Sequence, residues 1–418
     1  MRSSATPSAG TPRNAPWKLA GGLNEWIRRM ELNINKNWTI KKAKELYTYS
    51  SGISKGSQYF GTGYPYLTFT EIFHNYFVPK QLTSLVQSTE KERTICSIKR
   101  GDVFLTRTSE TDNELGMSCV ALSDYPNATF NGFSKRLRPY TDDIIPEYAG
   151  YYFRSPVFRA AVSSMASIIT RASLNEKMLD KLPVIYPNKK TQQKIASILS
   201  TYDNLIQNYK KQIEDLQTCA SELYKEWFVR FRFPGYQTAK FENGIPEGWK
   251  VEKVKNCVNR LPFGQTYKKD ELEPEGNVIV IDQSEDEYLG YHNNEPSHKA
   301  SAEKPIALFG DHSCKYKLMI KDFSLGENII PYTSKGVDLY YLYYSVYKIV
   351  QTEEYKRHWN LFVNKKVLIP NTELQKSFRQ KVIPIFKQIE MLDKQITNLT
   401  LQRELLLPRL MSGKLNVK

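Results

Sequence analysis

The sequence predicts an α+β chain: two mixed α/β domains joined by two long antiparallel coiled-coil helices, arranged as a pseudo-two-fold internal repeat. Three observations predict it. The stretch VIYPNKKTQ (residues 184–192) returns 183 residues later as VLIPNTELQ (residues 367–375). Behind each copy, apolar residues alternate steps of four and three, the spacing of a heptad seam. Each half also opens on a matched element, NWTIKKAKEL from Asn37 and GWKVEKVKNC from Gly248, which puts Trp38 and Trp249 in equivalent places.

The exit repeat keeps one register without a gap, residues 184–228 against 367–411. Val184/Val367, Pro187/Pro370, Asn188/Asn371, Gln192/Gln375, Ile206/Ile389, Lys211/Lys394, Gln212/Gln395, Ile213/Ile396, Leu216/Leu399 and Leu223/Leu406 are identical pairs. The first seam runs Ile195, Leu199, Tyr202, Ile206, Tyr209, Ile213, Leu216, Ala220, Leu223, Trp227. The second runs Phe378, Val382, Ile385, Ile389, Leu392, Ile396, Leu399, Arg403, Leu406, Leu410, broken only by Arg403. Two such seams in one chain have each other as natural partners. Pro187 and Pro370 stand where a proline ends a strand and permits a helix to begin. Pro384 lies inside the second helical pattern and predicts a kink or a later helix start, and Pro408 perturbs the last turn.

Between these elements the halves share order more than letters. Short β-like runs (PYLTF, GDVFLT, MSCVAL in one; GNVIVID, KPIALF, KLMIKD in the other) precede an aromatic helix, about residues 146–165 and 337–355. The opening elements are 211 residues apart and the exits 183, so the first variable segment is 28 residues longer than the second. The Gly- and Pro-bearing KFENGIPEGW before Trp249 marks a boundary. The predicted division is a first head over residues 30–186, a first spacer helix over 187–234, a second head over 235–369 and a second spacer helix over 370–418. Residues 1–29, rich in Ser, Thr, Pro, Ala and Gly, are expected to be a disordered leader or added extension.

Composition narrows the partner. Of 418 residues, 40% are hydrophobic and 25% charged, the formal charge is +15 and the pI about 9.3, so a polyanion is the first partner to consider. No apolar run approaches the roughly 20 residues that span a bilayer. The five cysteines, Cys96, Cys119, Cys219, Cys257 and Cys314, are odd in number and lack a C-x-x-C, which fits a reduced, cytoplasmic protein. A helix over residues 192–228 would measure about 55 Å, against about 34 Å between DNA-reading modules one helical turn apart.

Candidate DNA contacts sit in polar loops. The first half offers Lys55, Gln58, Tyr59 and Tyr64 in the Gly-rich SGISKGSQYFGTGYPY, and Arg107, Thr108, Ser109 and Glu110 after the strand GDVFLT. The second offers Gln265, Tyr267, Lys268 and Lys269 in GQTYKKDE; Gln283, Ser284, Tyr291 and His292 in VIDQSEDEYLGYHN; and His312, Lys315 and Lys317 in FGDHSCKYK. Such side chains serve phosphates, guanine edges and amino groups of bases. The predicted helix-pairing set is Ile195, Leu199, Ile206, Ile213, Leu216 and Leu223 with Phe378, Val382, Ile389, Ile396, Leu399 and Leu406. No parts of an engine are visible: no G-x-x-x-x-G-K-[ST] phosphate loop, no N-P-P-Y-type tetrapeptide, no carboxylate pair followed by Lys. The histidines (His74, His292, His298, His312, His358) lack metal-ligand spacing, and no metal or catalytic residue is nominated.

Over about residues 30–418 the chain resembles the specificity (S) subunit of type I restriction-modification systems. The resemblance rests on the two-fold opening and exit pattern, on GDVFLTRTSETDNELGMSCV, on GNVIVIDQS followed by GENII, and on the terminal LQRELLLPRLMSGKL. It implies two target recognition domains, each reading half of a bipartite double-stranded DNA sequence, and helices that set the gap and dock two methyltransferase (M) subunits. It also implies no catalysis on this chain. S-adenosylmethionine belongs to the M subunits, and ATP and magnesium to partner subunits including the motor and nuclease (R) subunit. Departures are the first 29 residues, Pro384, and WFVRFRFPGY after the first spacer, which reads as a crossover or a partner dock. Two rival readings use the same features: a stand-alone DNA-binding regulator, which would bind its site without partners, and a nuclease with scattered carboxylates, which would cut DNA with magnesium alone.

Overall fold

The computed structural model describes residues 34–107, 115–166, 174–352 and 356–417. Expectations placed on residues 1–29 and on Thr108, Ser109 and Glu110 lie outside the described residues. The chain divides into two compact units. One holds the described residues up to Asn204 together with those from Thr400; the other is Leu205–Leu399. Each long helix, Lys189–Tyr224 and Thr372–Met411, contributes to both.

The opening and exit repeats are two sides of one device. Thr39–Lys42 pairs antiparallel with Pro183–Tyr186, Lys41 opposite Val184. In the second unit Lys250–Lys253 pairs antiparallel with Lys366–Ile369, Glu252 opposite Val367. The proline that follows has no N–H to continue a ladder, so the strand stops and the chain turns into the helix. Asn188 and Asn371 then cap: their side-chain oxygens accept the backbone N–H of Thr191 and Leu374, each at 2.9 Å.

The repeated glutamine closes the joint. Gln192 is buried; its amide donates to the carbonyls of Pro187 and Asp143, both at 2.8 Å, and its oxygen accepts the N–H of Ile145 at 2.9 Å. Gln375 is also buried, donating to Pro370 O at 2.8 Å and accepting the N–H of Asp338 at 2.8 Å. Ile145 and Asp338 are the N-caps of the aromatic helices Pro146–Tyr152 and Leu339–Val346. Each glutamine thus clamps the start of an aromatic helix to the start of a long one.

Beyond the joint the two units have one topology. The first carries a four-stranded antiparallel sheet in the order Tyr47–Ser51, Ser134–Pro139, Val103–Thr106, Ser118–Val120; the second repeats it as Val258–Arg260, Ile329–Ser334, Ile306–Gly310, Tyr316–Met319. A three-stranded sheet accompanies each: Leu85–Val86, Phe60–Leu67, Thr129–Phe130 in one, Gly290–His292, Val278–Ile281, Phe323–Leu325 in the other, with the last two strands parallel in both. Each of the six predicted β-like runs overlaps a strand, though PYLTF runs on into the helix Phe69–His74.

The seams bury apolar residues within each unit. In the first, Ile195 and Leu199 share a core with Leu407, Leu410 and Met411, and Leu406 packs against it. In the second, Phe378, Val382 and Ile389 join Ala220, Trp227 and Phe228, with Ile213, Leu216 and Leu223 packed alongside. In each unit the start of one helix meets the end of the other, which is the antiparallel order. Ile206 is buried, whereas Ile396 and Leu399 are half-buried. Arg403 is no simple gap in the seam: its guanidinium pairs with Asp203, which also accepts from the Tyr151 hydroxyl, and lies 5.2 Å over the Tyr76 ring. Within WFVRFRFPGY, Trp227, Phe228 and Phe233 are buried in the second unit's core and Phe231 packs against it, while Val229 is exposed; Phe228, Phe231 and Phe233 ring Trp249 at 5.6 to 5.9 Å between centroids.

Three expectations are corrected. The second long helix runs from Thr372 through Pro384 and Pro408 without interruption, so it has no later start; Pro384 is exposed, so its missing N–H lies on the solvent side. The first aromatic helix is two helices, Pro146–Tyr152 and Pro156–Ala166, because Pro156 disfavours a helical Ser155 before it. FGTGYP is not a loop but part of the strand Phe60–Leu67, in which Gly61 and Gly63 take positive φ to absorb a register shift against Val86. Among the described residues, no helix is long and apolar enough to cross a membrane.

Removing the clamp should be costly. Gln192→Ala or Gln375→Ala strands buried backbone groups and should lower stability by about 2 to 3 kcal/mol, read as a reduced denaturation midpoint, while exposed Gln193→Ala on the same helix should leave it within about 0.5 kcal/mol of the parent.

Candidate nucleic-acid interface

The candidate loops occupy matching places in the shared topology. SGISKGSQY follows Tyr47–Ser51 as GQTYKK follows the equivalent strand Val258–Arg260. Arg107 leaves Val103–Thr106 at the hairpin position that His312 and Lys315 hold after Ile306–Gly310. Two unlike sets of polar residues therefore hang on the same two connections of one scaffold.

In the first unit the structure brings most of the set together. Lys55 pairs with Glu92 at 2.8 Å and lies 5.3 Å over the Tyr59 ring, and its ammonium holds the Glu92 carboxyl below the usual range. Tyr64 stacks under the Arg93 guanidinium at 3.8 Å. Gln58, Tyr59 and Tyr64 are exposed. Arg107 donates its backbone N–H to Phe133 O at 2.8 Å, at a turn whose Gly132 sits against Ser54, so the Lys55 loop and Arg107 flank one tip. Phe133 on that tip is 64% exposed. Aromatic faces beside cations suit stacking on bases and contact with phosphates.

In the second unit Lys268, Lys269 and Gln265 are exposed, and Arg260 lies 5.0 Å over the ring of exposed Phe263. Several expected contacts serve the fold instead. Tyr267 is 5% exposed and stacks on His292 at 4.1 Å, so its ring is not available to a base. Gln283 gives its side-chain oxygen to the N–H of His312 at 3.0 Å, and Ser284 donates to Asp282 at 2.6 Å. Lys315 directs its ammonium to three backbone carbonyls, and Lys317 to one. Tyr291 is half-buried against Tyr288.

Arg93, Phe133, Arg260 and Phe263, which the sequence reading did not single out, stand beside these loops. Arg93 meets Tyr64 only through a pairing of Leu85–Val86 with Phe60–Leu67 that no local pattern announces. Part of the positive charge is spent internally: Arg138 grips fully buried Asp102 through two bonds at 2.6 and 2.7 Å, and Arg154 serves the carbonyls of Ile72, Phe73, Asn75 and Ser118. Among the described residues no group of three or more His, Cys, Asp or Glu is placed to hold a metal ion.

The scaffold is a pair of like-folded units with divergent polar loops and repeated helical joints. The family model described as the type I restriction modification DNA specificity domain matches residues 35–218. The chain is 24% identical over 421 residues to the type I restriction enzyme MjaIX specificity subunit of Methanocaldococcus jannaschii, covering 92% of this chain and 95% of that one. A putative MjaX specificity subunit of the same organism is 24% identical over 413 residues, again 92% and 95%. The crystal structure of a type I restriction-modification S subunit from M. genitalium aligns over 90% of this chain and 96% of its own, at 15% identity and a TM-score of 0.49. Residues 35–218 thus match the type I restriction modification DNA specificity domain, and nearly the whole chain is similar to type I restriction enzyme specificity subunits.

Two buried histidines of the second unit give a pH dependence. His292 Nδ1 accepts the Asn294 N–H at 3.1 Å, which puts the ring proton on Nε2, 2.9 Å from Ser324 Oγ; His298 Nε2 donates to Phe263 O at 3.1 Å. Burial lowers both pKa values from 6.5. The unfolded chain therefore takes up protons first as pH falls, and stability present above pH 6.5 is lost below it. The melting temperature of the second unit should fall between pH 7.5 and 5.5, and His292→Asn should flatten that fall.

Proposed function

We propose that this chain reads a bipartite DNA target with one unit per half-site and docks methyltransferase subunits through its helices. The observation that carries the reading is the pairing of one sheet topology, present twice, with two different residue sets at the same two connections. A duplex half-site is read by base-edge contacts and held by phosphate contacts, and aromatic–cation pairs such as Tyr64–Arg93 and Phe263–Arg260 supply both kinds of surface. Because the letters differ between units, the half-sites differ. Because the helices repeat, the gap between half-sites is fixed by the chain.

The partners proposed are double-stranded DNA, two M subunits and, through the complex, R subunits. Leu401 and Leu405, 59% and 62% exposed on the second long helix, supply apolar surface for docking. The chain itself does no chemistry in this reading. S-adenosylmethionine belongs to the M subunits, ATP and magnesium to partner subunits, and the assembly works in the cytoplasm.

A domain exchange tests the division of labour. Replacing residues 30–180 by the corresponding segment of another specificity subunit should change one half of the methylated sequence and leave the other half and the gap intact. If both halves change together, the one-unit-per-half reading is wrong.

A further inference from the structure

The two-stranded ribbons that join the opening and exit repeats share one register but differ in what they leave open. In the second unit Lys250–Lys253 has Lys366–Ile369 on one side and, among the described residues, no strand on the other. Val254 N–H donates to Lys365 O at 2.9 Å just beyond the ladder. Bonded and non-bonded pairs alternate along an antiparallel ladder, so Val251 and Lys253 turn their N–H and C=O groups to the outer edge. Leu368, opposite Val251, turns its carbonyl the other way, to the Tyr341 hydroxyl. The aromatic helix thus covers one edge of the ribbon, and the edge of Lys250–Lys253 stays open.

The first unit closes the equivalent edge. Lys42, the counterpart of Lys253, gives its N–H to the Glu45 carboxylate at 2.7 Å. The counterpart of Glu45 is Asn256, whose amide donates instead to Glu252 at 2.9 Å, and Lys253 has no side-chain cap. The faces differ as well. Ile185 is buried and Ile40 packs against the same core, whereas their counterparts Leu368 and Val251 are half-buried and 54% exposed. Beside that apolar pair Lys253 stands directly opposite Lys366, where the first unit sets Lys42 opposite Pro183. Like charges directly opposite one another destabilise a strand pair. Lys250, Lys255 and Lys365 adjoin the two, and none of these lysines is ion-paired with a described residue.

An occupant of this surface needs backbone donors and acceptors at strand spacing, a compact apolar side chain for Val251 and Leu368, and negative charge for the lysines. An extended acidic peptide has all of these, because its own backbone lengthens the ladder. A nucleic-acid backbone has only the charge. A second copy of the ribbon would bring its own lysines against these. The strand Val258–Arg260 separates the ribbon from the loop GQTYKK, so the surface stands apart from the candidate DNA contacts. We infer that the outer edge of Lys250–Lys253 is a docking strand for an extended acidic segment of a partner protein. That segment adds as a third strand, with an apolar residue beside Val251 and, two residues away on the same face, a carboxylate beside Lys253.

The test titrates the full chain with the labelled peptide GETVTEG, its charge-reversed counterpart GKTVTKG and a hexathymidylate. The parent is compared with Lys253→Gln/Lys366→Gln and with Asn256→Glu, which gives Lys253 the cap that Glu45 supplies in the first unit. GETVTEG should bind saturably below about 1 mM and GKTVTKG should not. Both variants should weaken that binding about tenfold or more, one by removing charge and the other by closing the edge. With the peptide bound, amide exchange should slow at Val251 and Lys253 and stay unchanged at Ile40 and Lys42. N-methylation of one alternate set of peptide residues should abolish binding, while methylation of the other set leaves it within about threefold. Equal loss from both sets would show that charge alone holds the peptide and overturn the docking strand. Tighter binding of the hexathymidylate, lost in the lysine variant, would make this a phosphate surface and overturn it too. Absence of saturable GETVTEG binding up to about 1 mM would leave the lysines as guards against edge pairing, which also overturns it.

Discussion

A long helix can hold a globular unit in place only if the unit cannot swivel on it, and in both units that constraint falls on one buried glutamine. Gln192 and Gln375 each satisfy the carbonyl of the preceding proline and the N–H that opens an aromatic helix. Both groups are left over where one element ends and another begins, and the proline carbonyls are buried. The proline stops the strand, the asparagine starts the helix, and the glutamine ties that start to the head. In the first unit the tie extends to the opening strand, since Asp143 pairs with Lys41 at 2.8 Å and its carboxyl is held low by that lysine. In the second, Asp338 pairs with Arg379 of the long helix at 2.9 Å.

With the joint fixed, the rest of each unit is free to vary. The strands keep their order because their buried faces must still close on the aromatic helix, but the connections at the sheet ends carry no such duty. Lys55 with Tyr59 and Arg93 with Tyr64 in one unit, and Arg260 with Phe263 in the other, are different solutions hung on the same frame. The surplus of positive charge is divided between these groups at the loops and interior ones. Arg138, Arg154, Lys315 and Lys317 spend their donors on carboxylates and carbonyls inside the protein, so net charge overstates what is offered to a polyanion.

The parts legible in the sequence are those that repeat. Val184, Pro187, Asn188 and Gln192 return together because strand, stop, cap and clamp must keep their spacing, and the seams announce the helices by period alone. What the glutamine holds was not legible: Asp143 and Ile145 lie 49 and 47 residues before it in the chain. The same limit governs the site. Tyr267 and Lys315 read as exposed polar residues in loops, but only the fold stacks one on His292 and folds a turn around the other. Arg403 looked like a flaw in the seam, and its partner Asp203 sits on the other helix, 200 residues away. Pro384 looked like a helix breaker because sequence gives its position in the helical pattern but not the solvent it faces.

Two unlike heads on one repeated joint should leave a particular mark on DNA. The most direct measurement is sequencing of modified adenines in a cell carrying this chain and its methyltransferase partner. The account predicts a split target, two unlike short half-sites separated by a gap of constant length. A continuous target, a palindromic one, or half-sites found at variable spacing would contradict it.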